Sequence, residues 1–235
     1  MPFVNQILDH VPADTRARLE PHLRLVHLTR GQQLIDAGET SRHIWFPTTS
    51  LMSVLGVATT GDVIELATIG PDACTGVWFT LGAAMSSHRV IVRGAGGAYR
   101  LPSDVVLREF HSNVVVHRVI AQRACALAHE LTQTAVCVAF HALLPRLCRW
   151  LLIGRDHTRS GTIDLTQEFI AQMLGVTRPK VSQALLVLEA ERVIHQGVGR
   201  IHIVNRDGLE ALSCECYRQA SRQHQPNPPP APSHS

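Results

Sequence analysis

Glycine and proline divide this chain into textures, and that division constrains its fold most. No glycine occurs from residue 98 to 153, and no proline from 103 to 144. Before that window, Gly31, Gly38, Gly56, Gly61, Gly70 and Gly76 punctuate short apolar runs. The runs 44–46, 51–57, 63–69 and 90–93 predict strands bounded by turns, with Thr60-Gly61-Asp62 as a hairpin turn. Gly82, Gly94, Gly96 and Gly97 extend the pattern. Strands at this spacing predict a small antiparallel barrel or jelly roll. Residues 1–24 fit one or two short helices, with Pro12-Ala13-Asp14 as a start signal.

The glycine-free window predicts a long helix. Val116, Ile120, Ala124, Leu127, Leu131, Thr134 and Val138 follow one another at spacings of 4, 4, 3, 4, 3 and 4. That is a helical seam close to a heptad. It has two readings: homodimerisation, which we prefer, or a helix lying across its own barrel. A shorter helix is expected over 143–153, then a polar connection over 154–161. Residues 225–232 are proline-rich and read as a disordered tail. The expected division is 1–111 for the barrel with its short helices, 112–142 for a dimerisation helix, 143–222 for a last domain and 223–235 for the tail.

Composition narrows the function classes. The chain is 45% hydrophobic and 17% charged, which excludes a disordered polyelectrolyte. It has no apolar run long enough for a transmembrane helix and no secretory signal pattern. Six cysteines among 235 residues are too sparse for a disulfide scaffold, so a cytoplasmic location is expected. Lys and Arg balance Asp and Glu over 1–144, so the net charge of +3 lies beyond residue 144. An excess there suits a polyanion.

The segment from Leu165 to Glu189 carries the functional signal. Thr166 is a candidate N-cap for a helix whose apolar face is Phe169, Ile170, Met173 and Leu174. Gly175 suits a left-handed turn residue. Thr177 is a second N-cap, and Pro179 falls in the next helix's first turn, where its missing N–H is harmless. Val181, Leu185 and Leu188 form the inward face of that helix. Two short strands around Gly197–Gly199 complete a wing. This is a winged helix-turn-helix, whose second helix enters the DNA major groove. Arg178 and then Gln183 are the candidates for base contact, since these side chains can make paired hydrogen bonds with guanine and adenine. Thr166, Thr177, Lys180, Ser182 and Arg200 are expected at the DNA backbone.

The order of parts resembles the Crp/Fnr superfamily of bacterial transcription regulators, over roughly residues 5–220. The closest correspondence is Gly175-Val176-Thr177-Arg178 with Val181, which is similar to the family's DNA-reading motif. The resemblance implies an α+β fold: a cyclic-nucleotide-binding-like barrel, a dimer helix and a C-terminal winged helix-turn-helix. It implies a homodimer on double-stranded DNA that reads a near-palindrome, RNA polymerase as a candidate partner, and no membrane partner. It implies a regulator, not an enzyme. The position after the base-reading arginine is often glutamate in the family; here it is Pro179, which cannot accept from cytosine. The sensor half departs further. Gly76-Val77 and His88-Arg89 stand where nucleotide-binding members carry Gly-Glu and an Arg-Ser or Arg-Thr pair. Valine cannot accept from a ribose hydroxyl. The resemblance is therefore to a divergent subgroup lacking the phosphate-binding motif, with Val77, His88 and Arg89 as the candidate pocket for an unknown small-molecule effector. The rival reading is a ligand-sensing module that acts through protein contacts, its DNA-binding domain vestigial. A barrel metalloenzyme is a weaker third.

Cysteines and histidines give no cofactor at this level. Iron–sulfur members of the family use a cluster near the N-terminus, and no cysteine precedes Cys74. Cys125, Cys137 and Cys148 read as small buried residues. Cys214 and Cys216, two apart on an expected helix, should point to different sides and share no ion. Cys74, on a loop, is a weak candidate for a reactive thiol. Haem ligation by His88 or His111 is unsupported by the sequence. No cofactor and no metal are expected.

Overall fold

In the computed structural model, residues 5–158 and 160–223 are described, and the expected tail falls almost wholly outside them. Two short helices, α1 (Gln6–Asp9) and α2 (Ala13–Leu19), precede the strands. Asn5 caps α1 and donates through Nδ2 to the Pro47 and Ala73 carbonyls, both at 2.9 Å. Then come β1 (Arg24–Leu28), β2 (Gln33–Ile35), β3 (His43–Pro47), β4 (Leu51–Val57), β5 (Val63–Ile69), the short α3 (Val77–Thr80), β6 (Arg89–Gly94) and β7 (Gly96–Pro102). They form two antiparallel sheets, ordered β1-β7-β3 and β2-β6-β4-β5. Met52, Val54, Val90, Val92 and Ala98 fill the space between them, as alternation on a half-buried strand requires.

Strand β7 is central in its sheet although it begins with two glycines. A Cβ on Gly96 would stand 2.7 Å from the Ser50 nitrogen, and one on Gly97 2.7 Å from the Thr48 hydroxyl. Those glycines admit the crossing 48–50 segment and make no turn. Gly61 does turn: its φ is +89°, and its N–H donates to the Ala58 carbonyl.

Next come α4 (Ser103–Ser112) and the long α5 (Val114–Phe140). The 27 residues of α5 span about 40 Å. Asn113 caps it, accepting from the N–H groups of Val115 and Val116. Five of the seven seam residues face the chain's own barrel. Val116, Ile120 and Ala124 are buried against Ile44, Phe46 and Leu101 of the same chain, and Leu127 and Leu131 pack on the intersheet core. The barrel covers the seam from Val116 to Leu131, Thr134 accepts from Arg149 of the following helix, and Val138 at the end is exposed. Cys125, expected to be buried, is exposed on the opposite face.

The last part holds α6 (Leu143–Thr158), β8 (Thr162–Ile163), α7 (Gln167–Leu174), α8 (Arg178–Ala190), β9 (Ile194–Gly197), β10 (Arg200–Ile203), α9 (Arg206–Ala211) and α10 (Cys216–Gln223). Helix α6 runs through Gly154, where the sequence predicts a break. A Cβ there would lie 2.5 Å from a guanidinium nitrogen of Arg93, so Gly154 is a notch for that side chain. The expectation for Cys214 and Cys216 is also corrected. Cys214 precedes α10, so the pair lacks the angular separation of two helical residues.

The barrel and the last domain share one core. Leu55 of β4 is buried among Trp150, Leu151, Ile170 and Leu174, with Val63 and Ile91 packed beside it. At this seam Arg93 and Glu65, both almost fully buried, pair at 3.2 Å. Glu65 also accepts from Thr68 Oγ1 and Trp150 Nε1, each at 2.8 Å, and the Arg93 guanidinium lies 3.6 Å over the Trp150 ring. Glu65→Gln should therefore cost about 3–5 kcal/mol in denaturant unfolding, because it leaves a buried cation without its counter-charge. A loss below ~1 kcal/mol, as for an exposed pair, would show that the seam does not depend on it.

Candidate nucleic-acid interface

The helix-turn-helix forms through local signals. Thr166 Oγ1 accepts from the Phe169 N–H at 3.2 Å and closes the first turn of α7. Gly175 ends α7 in the left-handed region, at φ 63° and ψ 40°. Thr177 holds the N-cap position of α8 with extended backbone, but its hydroxyl makes no capping bond. Pro179 sits in the first turn of α8. Val181, Ala184, Leu185 and Leu188 are buried and hold α8 against α7 and α6. Ile64 of β5 touches the Gly175 turn, so the barrel supports the motif from behind.

This packing turns the N-terminal end of α8 outward. Arg178, Lys180 and Gln183 are exposed, and Ser182 is half-buried. Neither Arg178 nor Lys180 has an ion-pair partner among the described residues. The wing strands β9 and β10 pair Ile194 with Ile203 and Gly197 with Arg200. Gly199 turns at φ +66°, and Val198 is fully exposed at the tip. Glu189 fixes the wing to α8. It accepts from the Gln196 backbone N–H and from Gln196 Nε2, both at 2.9 Å, and these bonds hold its carboxyl below the usual range. A groove of about 430 Å³ lies between α7, α8 and the wing, lined by Thr166, Arg178, Gln196 and Arg200 among others. Arg200 lies 3.6 Å from Asp164, with both side chains more than half exposed, so salt or a phosphate can displace this contact.

The seven residues expected at DNA thus lie on the two helices and the wing, and three of them line one groove. The three expected at an effector pocket have separate settings. Val77 is buried at the start of α3 and lines a cavity of about 30 Å³ against α5, with Asp72, Arg123 and Glu130. That volume holds about one water, far below a nucleotide-sized site. His88 is buried, and burial lowers its pKa. Arg89 donates to Asp36 at 2.8 Å. Cys74 is buried and its thiol is pushed up to about 12, which makes it unreactive. A feature with no signal in the sequence is an open cleft of about 620 Å³ on the barrel, lined by Glu39, Arg42, His43 and Trp45 among others.

Residues 145–212 match the Crp-like helix-turn-helix domain. Solved structures extend the likeness to the barrel and long helix. FixK2 from Bradyrhizobium japonicum is similar with a TM-score of 0.70, at 15% identity, over 82% of this chain and 98% of that one. The Crp-family transcriptional regulator TTHB099 from Thermus thermophilus gives 0.67 at 18% identity, over 80% and 96%. The c-di-GMP-responsive global regulator CLP from Xanthomonas campestris gives 0.66 at 13% identity, over 82% and 99%. The last domain is thus a Crp-like helix-turn-helix, and the chain as a whole shares the fold of these regulators. Comparison with curated proteins finds no match. Among the described residues, no helix is long and apolar enough to cross a membrane.

With Arg178 exposed at the N-terminus of α8, Arg178→Ala should cost about 1–3 kcal/mol on a selected operator and relax one base position. Lys180→Ala should weaken every sequence alike and flatten the salt dependence by about one phosphate contact. Anisotropy titrations on operator and random DNA at two salt concentrations check both. Equal losses on the two DNAs for Arg178→Ala would overturn its role at a base.

Proposed function

We propose that the protein is a homodimeric regulator that reads a near-palindromic operator through α8, under the control of an effector at the barrel, and acts on RNA polymerase. Residues 1–111, 112–142 and 143–222 are its working parts. The observation that carries this reading is the pair of exposed cations, Arg178 and Lys180, without ion-pair partners among the described residues, at the start of a helix held rigidly from behind. Arg178 and Gln183 read bases. Thr166, Thr177, Lys180, Ser182 and Arg200 hold the phosphate backbone, where the N–H groups at a helix N-terminus add their own attraction. A palindrome calls for two copies of α8 about 34 Å apart, on one face of the duplex.

The dimer contact in this reading is the outer face of α5. Its barrel-facing seam is already occupied, whereas Ala128, Thr132 and Ala135 are exposed, small and spaced for one face. Small side chains let two helices approach closely and pack along their length. Val77, His88 and Arg89 remain one place for the effector, although the cavity beside Val77 is only about 30 Å³. The open cleft beside Trp45 is the alternative place for a ligand.

Ala128→Glu tests the dimer without touching the monomer's core. Light scattering should show the wild-type chain as a dimer and this variant as a monomer of unchanged circular dichroism. Its operator affinity should fall at least ~100-fold, since half of the contacts and their coupling are lost. A variant that stays dimeric would move the contact elsewhere on the surface.

A further inference from the structure

Four side chains outside the DNA-reading face meet where the last turn of α5 reaches the start of α10. The Sγ atoms of Cys137, Cys214 and Cys216 and a ring nitrogen of His141 all lie within 4.8 Å of one another. The three cysteines are buried and the histidine is half-buried. Cys137 Sγ is 3.5 Å from Cys214 Sγ, and Cys216 Sγ is 3.5 Å from His141 Nδ1. A tetrahedral zinc ion, with Zn–S bonds of ~2.3 Å and Zn–N bonds of ~2.0 Å, holds its ligand atoms about 3.5–3.8 Å apart. Both separations fall at the lower edge of that range.

We propose that Cys137, His141, Cys214 and Cys216 form a structural zinc site that fastens the end of α5 to α10. The donor set is the Cys₃His combination of closed, four-coordinate zinc centres. Two further contacts and a nearby cation favour a metal over a cluster of plain buried thiols. His141 Nε2 lies 3.2 Å from a Glu215 carboxylate oxygen, while its Nδ1 faces the sulfurs. That is the carboxylate–histidine–metal arrangement, which fixes the ring tautomer and raises the basicity of the ligating nitrogen. Gln133 Nε2 donates to Cys216 Sγ at 2.9 Å, a bond that suits a thiolate. Arg149, on α6, acts electrostatically on Cys137 and Cys216. Three thiolates around a divalent cation leave one negative charge, and this guanidinium compensates it.

The site has a mechanical meaning. Cys137 lies in α5 and His141 caps its C-terminus, whereas Cys214 and Cys216 stand at the far end of the last domain. An ion held by all four joins the end of the long helix to the domain that carries α8, across a separation of 77 positions from Cys137 to Cys214. Each bound zinc displaces the protons of three thiols, so acid competes with the metal.

The test uses the full-length protein, reduced, stripped with a chelator and titrated with Zn²⁺ against a chromophoric competitor. Co²⁺ serves as a spectroscopic probe. One ion per chain is expected, with Co²⁺ giving thiolate charge transfer and the intense visible bands of a tetrahedral site. Cys214→Ser, Cys216→Ser and His141→Ala should lose the ion or bind it at least ~100-fold more weakly, and Cys125→Ser should keep it. Glu215→Gln should bind ~10-fold more weakly or worse, because the histidine loses its carboxylate partner. Zinc should raise the Tm of the wild-type chain and not that of Cys216→Ser. If a cysteine variant fails to fold, the wild-type stoichiometry and cobalt spectrum still decide. Absence of binding by the reduced wild-type chain, an octahedral cobalt spectrum, or unchanged affinity in Cys214→Ser and Cys216→Ser would overturn the proposal. So would a Cys137–Cys214 disulfide whose reduction yields thiols that take up no metal.

Discussion

The buried pairing of Arg93 with Glu65 is the constraint on which the arrangement of the two halves depends. A guanidinium removed from water without a partner would cost several kcal/mol, so everything around it has to supply charge or hydrogen bonds. Glu65, on β5 of the same sheet with β4 between, supplies the charge, and Trp150 supplies a π-face above the cation and a donor to the carboxylate. Because Trp150 belongs to α6, satisfying Arg93 also docks the last domain on the barrel. From α6, Arg146 reaches on to the Leu174 carbonyl at the end of α7, at 2.7 Å. The orientation of the helix-turn-helix is thus traceable, bond by bond, to a charge inside the barrel.

The helix-turn-helix is the most legible part of the sequence because its signals are local. A cap, a left-handed glycine and a second cap position fall within twelve residues, and each acts on its immediate neighbours. The structure keeps Thr166 as a true cap and uses Thr177 only for its backbone conformation. Strands β4 and β5 are equally readable, since their runs of apolar residues end at real turns. Gly96, Gly97 and Gly154 are not. In sequence, a glycine at a turn and a glycine beneath a crossing segment look alike. The difference lies in a partner that is distant in the chain: the 48–50 segment for β7, and Arg93 for α6.

The long helix makes the same point about periodicity. A heptad-like spacing shows that one face is covered, and it carries no information about which surface covers it. Here the barrel takes the face of Val116, Ile120 and Ala124, which leaves the small residues opposite for any second chain. Cys214 and Cys216 escape a sequence reading for a related reason. Their relation to Cys137 and His141 exists only after the chain has passed through the whole winged domain. Their relation to each other depends on where α10 starts: it begins at Cys216, which leaves Cys214 outside the helix and free of its angular spacing.

Gly154 bears on tolerance to change. By side-chain chemistry, its replacement by alanine is among the mildest exchanges available, and in an exposed helix it would favour folding. At this position the added methyl group would arrive 2.5 Å from a buried guanidinium nitrogen that has no other place to go. The smallest side chain in the alphabet is therefore the most specific one on this helix. A substitution matrix would rank the exchange as harmless; the space around Arg93 ranks it with the loss of a core residue.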